Sequence, residues 1–199
     1  MASAEPIWRS HPHSGWADEY RHDHRETAPW HYIDIPLADS TIDLARECRN
    51  GDCVIAKTEQ FLAVLKDPSA DKNAKARALK FVIHFVADLH QPLHDEDNGD
   101  NGGNTRHVIF DAHPDNLHCV WDTGLLQHIS RNPATLAAEL ESRITPRDEA
   151  EWQKGSIDDW AGRIAFQTIA SRGDARRSRF QNKAKMPKLG SSLRPTTAS

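Results

Sequence analysis

The stretch LKFVIHFVADLHQPLH, residues 79–94, decides how the rest of the chain is read. At roughly 100° per residue, Leu79, Val82, Ile83 and Val86 share one face of a helix, and Phe81 and Phe85 cover another. A helix apolar nearly all round belongs at the buried centre of a fold. The exception is a narrow polar stripe made by His84 and Asp88, one turn apart. Burying a carboxylate without a partner is costly. The i,i+4 spacing aims both side chains at a common point, where a cation would satisfy them together. The alternative is a structural hydrogen bond in which Asp88 orients the His84 ring. Gln91-Pro92 ends the helix and Asp71 supplies an N-cap, so the expected span is about 71–90.

Outward from this helix the chain reads as mainly α. Helices are expected over about 52–66, 115–130, 133–144 and 157–170, the last opened by the capping-box pattern Ser156-x-x-Asp159. HVIF at 107–110 reads as a short strand, and DEDNGDNGGN at 95–104 as a Gly/Asn/Asp loop. Residues 1–50 read as irregular, because Pro6, Pro12, Pro29 and Pro36 interrupt any long helix. In CRNGDC, Asn50 and Gly51 favour chain reversal between Cys48 and Cys53. A disulfide is expected there if the protein is exported, and two thiols if it stays in the cytosol. Cys119 is left over, and with no C-x-x-C spacing sulfur ligation is not expected.

Composition narrows the function classes. The 199 residues carry a net charge of −4 with only 38% apolar residues, and mean hydropathy is −0.70. No stretch approaches the ~18 consecutive apolar residues of a membrane span, and MASAEPIWRSHPHSG lacks the apolar region of a secretory signal. The charge is uneven: residues 172–199 hold eight Lys/Arg and one Asp, which leaves residues 1–171 at −11. The expected organisation is one domain over 1–171 and a basic, disordered tail over 172–199. An acidic domain rich in His suits cation binding better than uniform polyanion binding.

The His84/Asp88 spacing recurs at His118 and Asp122 in NLHCVWD, on the helix face that carries Leu125 and Ile129 and so points inward. His94 follows six residues after Asp88. Asp18 stands beside Trp16, and His31 between Trp30 and Tyr32, in apolar surroundings. Four His and three Asp in low-dielectric settings, with no thiol, form a ligand set that suits zinc, with manganese or iron as rivals.

WADEYR (16–21), WHYID (30–34), HFVADLHQPLHDEDNGDNGGN (84–104) and NLHCVWD (116–122) resemble the zinc-dependent single-strand nucleases of fungi, plants and bacteria, often called the S-one/P-one family. Its fold is shared with bacterial zinc phospholipase C. The resemblance implies a mainly α, multi-helix bundle of that type, with long irregular loops and a short hairpin. It also implies one zinc held by Asp18, His31, His84 and Asp88, and a second by His94, His118 and Asp122. In the family a third zinc shares the aspartate equivalent to Asp88 and takes the amine and carbonyl of an N-terminal Trp and a nearby His. Here nothing before Trp16 matches that motif, since Trp8 and His11 are three apart rather than five. The expectation is a chain shortened at both ends, with two zinc sites complete and no signal peptide.

The same resemblance assigns catalytic roles to Asp18, Arg21 and Asp88, with Arg21 stabilising charge on the phosphoryl group. Tyr32 would stack on a base, Asp34 would hydrogen-bond its edge, and Asn104 would line that pocket. Without the resemblance, Tyr32 reads as core, Asp34 as a turn residue and Arg21 as a surface ion-pair partner. Unpaired bases suit a recessed metal site because they can stack on an aromatic ring. The expected activity is endonucleolytic hydrolysis of single-stranded DNA and RNA to 5′-nucleotides, with 3′-nucleotidase activity. The expected state is a monomer that is secreted or periplasmic, with Cys48–Cys53 bonded. The alternatives are a phospholipase C-type phosphodiesterase, against which Asp rather than Glu at 122 counts, and a catalytically dead zinc-binding remnant.

Overall fold

The computed structural model describes residues 15–39, 41–157 and 159–164. In chain order the elements are α1 (Trp16–Asp23), a 3-10 helix (Arg25–His31), β1 (Ile35–Pro36), α2 (Leu44–Glu47), a 3-10 turn (Arg49–Gly51), α3 (Val54–Lys66), α4 (Lys72–Asp88), α5 (Pro92–Asp95) and β2 (Glu96–Asp97). There follow β3 (His107–Phe110), β4 (His113–Asn116), α6 (Leu117–Cys119), a π-helical turn (Val120–Gly124), α7 (Leu125–Ile129), α8 (Pro133–Glu141) and α9 (Pro146–Trp152). The fold is mainly helical, as expected. β3 and β4 form an antiparallel hairpin, and β1 and β2 a two-residue parallel pair.

α4 forms where the apolar spacing places it. The Asp71 carboxylate accepts from the backbone N–H of Asn73 (2.8 Å) and Ala74 (2.9 Å), two of the donors a helix start leaves unpaired. Phe81 and Phe85 are fully buried, and α3 packs along α4. Phe81 stacks on Phe61 (4.5 Å between centroids) and meets Trp16, Tyr20 and Trp30 edge-on at 5.1, 5.5 and 5.8 Å. The core continues through Ala17, Ile33, Ile35, Val54, Ile55, Leu89, Ile157 and Ala161.

Four sequence expectations need correction. Residues 1–50 are not irregular throughout: α1 fits between Pro12 and Pro29, with Trp16 and Tyr20 one turn apart and Asp18 and Glu19 in the first turn, where the helix dipole favours them. Pro29 is accommodated inside the 3-10 helix. α4 is not buried all round: Ile83 is 50% exposed, since among the described residues the neighbouring helices cover only the side carrying Ala78, Phe81 and Phe85. The expected 115–130 helix starts at Leu117, because Asp115 and Asn116 pair with Val108 and His107 in the hairpin. Its Leu125 and Ile129 face outward rather than into a core.

The expected 95–104 loop begins only at Asn98, because Asp95 closes α5 and Glu96 and Asp97 pair with Ile35 and Pro36; other expectations hold. The hairpin strand at 107–110, α3 and α8 lie within the expected spans, while α9 was not anticipated. Ser156 and Asp159 form the reciprocal cap, with Ser156 N and Oγ on Asp159 Oδ2 at 2.8 and 2.9 Å and Asp159 N on Ser156 Oγ at 3.2 Å. Residues 165–170 of that last helix, the 172–199 tail, and Trp8 and His11 lie outside the described residues. Cys48 and Cys53 are disulfide-bonded across the expected reversal, where Asn50 and Gly51 adopt φ +60° and +69°. No helix among the described residues is long and apolar enough to cross a membrane.

A candidate two-group metal centre

α4 supplies His84 and Asp88, and the packing of Trp16, Tyr20 and Trp30 on Phe81 brings α1 and the 3-10 helix against it. Asp18 and His31 arrive with those elements. His84 Nε2 lies 3.1 Å from His31 Nδ1, 3.3 Å from Asp88 Oδ2 and 3.6 Å from Asp18 Oδ2. His31 Nδ1 lies 3.2 Å from Asp88 Oδ2 and 3.9 Å from Asp18 Oδ1. Two imidazole nitrogens and two carboxylates therefore converge on one point. His31 is fully buried, and its Nε2 has no hydrogen-bond partner among the described residues. Asp18 departs from the expected apolar setting: its side chain is 47% exposed, and Arg21 Nη2 sits 3.2 Å from its Oδ1.

The second group forms where α5 meets the α6–π–α7 segment. His118 Nε2 is 3.2 Å from Asp122 Oδ2, and His94 Nε2 is 3.5 Å from Asp122 Oδ1. The other ring nitrogens are committed: His94 Nδ1 donates to the His31 carbonyl (2.7 Å) and His118 Nδ1 to the Gly102 carbonyl (2.8 Å). A carbonyl only accepts, so each Nδ1 carries a proton, which leaves each Nε2 able to offer its lone pair to a metal. Asp122 lies in the π-helical turn and is exposed rather than inward-facing. Burial raises its carboxyl, but in the ion-free chain the protonated Nε2 of His118 and of His94 and the Gln91 amide donate to it and hold it well below the ordinary range. Burial lowers the His94 imidazole, and its bond to Asp122 and the Asp88 charge raise it more.

The two groups are adjoining. The His31 ring belongs to the first, while its carbonyl orients His94 of the second, whose Nδ1 is 4.0 Å from Asp88 Oδ1. In each group, ligand atoms from three residues (Asp18, His31 and His84; His94, His118 and Asp122) lie within 4.8 Å of one another, as a shared ion requires. Nitrogen and carboxylate donors without sulfur suit zinc among the divalent ions.

A model of the S1/P1 Nuclease family matches residues 10–181. The chain belongs to the S1/P1 nuclease family. It is 34% identical over 156 residues to Nuclease P1 of Penicillium citrinum, covering 71% of this chain and 57% of that protein. Against Nuclease S1 of Aspergillus oryzae the identity is 32% over 162 residues, 78% of this chain and 56% of the relative. Endonuclease 1 of Arabidopsis thaliana is 33% identical over 146 residues, 65% and 48% of the two chains. The chain thus spans about half the length of the curated relatives it matches.

This S1/P1 nuclease chain also has a groove along the β1–β2 pair. Asp34, Pro36, Leu37, Ala38, Asp97, Asn98 and Gly99 line a cavity of about 320 Å³. Asp34 is raised by burial and by Asp97, and Tyr32 by burial and by Asp34, with Arg21 opposing. Tyr32 is 39% exposed, so it is not core. Asn104 is exposed, and its amide donates to the Asn101 carbonyl (2.9 Å).

Three residues escaped the sequence reading. Gln91 caps α5 and also donates to Asp122 Oδ1 (2.7 Å). Asp95 is wholly buried with neither carboxylate oxygen hydrogen-bonded among the described residues, and burial, then Asp88 and Glu96, push its carboxyl well above the ordinary range. Asp97 accepts from three backbone N–H groups of its loop. The one usable signal was for Asp97, an Asp ahead of a Gly/Asn run, which favours side-chain bonds to nearby N–H groups.

Proposed function

We propose that this chain is a zinc-dependent endonuclease that hydrolyses phosphodiester bonds of single-stranded DNA and RNA to 5′-nucleotides, with 3′-nucleotidase activity. The observation that carries the reading is the pair of adjoining N/O groups tied through His31 and Asp88, in a chain of this family. Asp18, His31, His84 and Asp88 would hold one zinc, and His94, His118 and Asp122 a second. Bound zinc would supply water made acidic enough to ionise near neutral pH and positive charge for the phosphoryl oxygens.

The chain's own residues would do the rest. Arg21 restrains Asp18 and leaves guanidinium donors near the phosphoryl position for charge developing there. Asp88 and Asp18 would act as catalytic carboxylates by presenting their oxygens to the ion of the first group, beside His31 and His84. Tyr32 offers a half-exposed ring for base stacking. Asp34 stands ready to accept from base N–H groups at the groove wall. A continuous duplex hides those edges and faces, which gives the preference for single strands. The Cys48–Cys53 disulfide supports an exported, oxidising location. A monomer is the expected working unit.

The test is to count zinc per purified chain and to follow cleavage of single-stranded and duplex DNA of one sequence in parallel. About two zinc per chain with single strands cut preferentially, leaving 5′-phosphates, is the expected result. Two zinc without cleavage would favour the metal-binding remnant, and hydrolysis of phosphocholine esters alone would favour the phospholipase reading. No bound zinc would refute the metal reading altogether.

A further inference from the structure

We propose that Asp97 is a positioning residue for the second metal group: its carboxylate sets the 97–103 loop so that the Gly102 carbonyl orients the His118 ring. The inference rests on the metal reading above. Asp97 is itself anchored, since it pairs with Pro36 in the β1–β2 bridge and its carbonyl accepts from Leu37 N (3.2 Å). From there its Oδ2 accepts from Gly99 N (3.0 Å) and its Oδ1 from Asp100 N (3.2 Å) and Gly102 N (3.1 Å). Asp100 Oδ1 in turn accepts from Gly103 N (2.9 Å). The chain of contacts ends at the ligand: the Gly102 carbonyl accepts from His118 Nδ1 (2.8 Å), and His118 Nε2 faces Asp122 Oδ2 (3.2 Å).

This strut matters because, among the described residues, Asp97 is the acceptor for Gly102 N, while Thr105 and Arg106 hold the loop at Asp100 and Gly103 on its far side. Gly99, Gly102 and Gly103 adopt φ of +71°, +56° and +80°, and glycines can populate many other conformations. Gly102 is also confined: a Cβ there would stand 2.6 Å from the Leu93 carbonyl oxygen and 3.6 Å from His118 Nδ1. Without the Asp97 carboxylate, three N–H groups lose their acceptor and the Gly102 carbonyl loses its fixed direction. His118 would then be free to rotate or to move its proton to the metal-facing nitrogen. Removing a partner that orients a ligating His costs about 10–100-fold in metal affinity. The loop's carbonyl contact runs to His118 of the second group, while Asp18, His31 and Asp88 meet one another on α1, the 3-10 helix and α4, so the first group should keep its ion.

The test measures zinc per chain by equilibrium dialysis over a range of free zinc, for the wild type, Asp97→Ala, Asp97→Asn and His118→Ala. His118→Ala marks which binding step belongs to the second group. Asp97→Ala should weaken that step by 10–100-fold and leave the other unchanged. Asp97→Asn keeps a carbonyl oxygen for Asp100 N and Gly102 N and should recover most of the affinity. Wild-type affinity in Asp97→Ala overturns the proposal. So does equal weakening of both steps, or an Asn variant as weak as Ala. Should Asp97→Ala fail to fold, Gly102→Ala disturbs the same carbonyl, and unchanged second-site affinity there is equally fatal. A wild type that binds no zinc at any concentration removes the metal reading and this inference with it.

Discussion

Phe81→Ala should cost the fold about 3–5 kcal/mol and loosen the first metal group before the second. Phe81 is 1% exposed and its ring touches five aromatic neighbours: Phe61, Trp16, Phe85, Tyr20 and Trp30. Truncating a buried Phe typically costs about 3–5 kcal/mol through lost burial and the cavity left behind. Five ring partners place this site towards the upper part of that range, because aromatic pairs add to burial. That is a quarter or more of the whole stability of an ordinary domain. The chemistry is linked to it, since Trp16 and Tyr20 seat the helix bearing Asp18, and Trp30 precedes His31. The assay is urea unfolding of the zinc-free protein, with Ile83→Ala on the exposed side of the same helix as the control, expected within about 1 kcal/mol of wild type. Zinc binding at a temperature where both variants are folded gives the second readout, and only Phe81→Ala should weaken the first-group ion. A loss under about 1 kcal/mol for Phe81→Ala, or equal losses at 81 and 83, would refute the keystone role.

Two further outcomes follow from the same geometry. Asp34→Asn should stabilise the fold at neutral pH while weakening substrate binding: burial and Asp97 raise the Asp34 carboxyl, so ionisation costs stability above its folded pKa, and below the unfolded value of about 3.8 the two proteins should converge. Thermal unfolding at pH 3 and 7, beside KM for a single-stranded substrate, checks both halves, and a destabilised variant at pH 7 would contradict it. Replacing Cys48 and Cys53 together by Ser should cost about 2 kcal/mol, the loop-closure value for so short a loop. Urea unfolding measures it, and no loss would mean that the bond constrains nothing the Arg49–Gly51 turn and the start of α3 do not already fix.

What could be read from the sequence divides along one physical line. His84 with Asp88, and His118 with Asp122, were legible as pairs because both members sit one turn apart on a single helical segment, where local geometry alone fixes their meeting. That His31 meets His84 across 53 residues is not contained in any spacing. It came from the family resemblance, and the structure supplies the physical cause in the aromatic packing on Phe81. The misreadings have the same root. Periodicity named the faces of α4 but could not say that Ile83 lacks a covering neighbour, nor that Leu125 and Ile129 face outward. α1 was hidden by counting prolines across fifty residues, when the interval between Pro12 and Pro29 holds two turns of helix. The Asp97 strut was hidden because its acceptor role depends on glycine conformations that the sequence permits without choosing.

The stretch from His31 to Pro36 joins both metal groups and the groove wall in one run of backbone. The His31 ring lies in the first group, and its carbonyl holds the His94 ring of the second. Ile33 N donates to the His94 carbonyl (2.8 Å), and Val54 N donates to the Tyr32 carbonyl (3.1 Å), which ties the stretch to α5 and to the start of α3. Ile35 and Pro36 then pair with Glu96 and Asp97, so the groove wall at Asp34 is continuous with the same backbone. One residue, Tyr32, separates the metal-facing His31 from the buried Ile33, and extended backbone turns it to the opposite side. In the proposed function, a base stacked on Tyr32 would rest on the same backbone segment that carries the His31 ring. In the proposed reaction, binding energy from the base acts on the phosphate through six residues of shared backbone, with no moving part required between them.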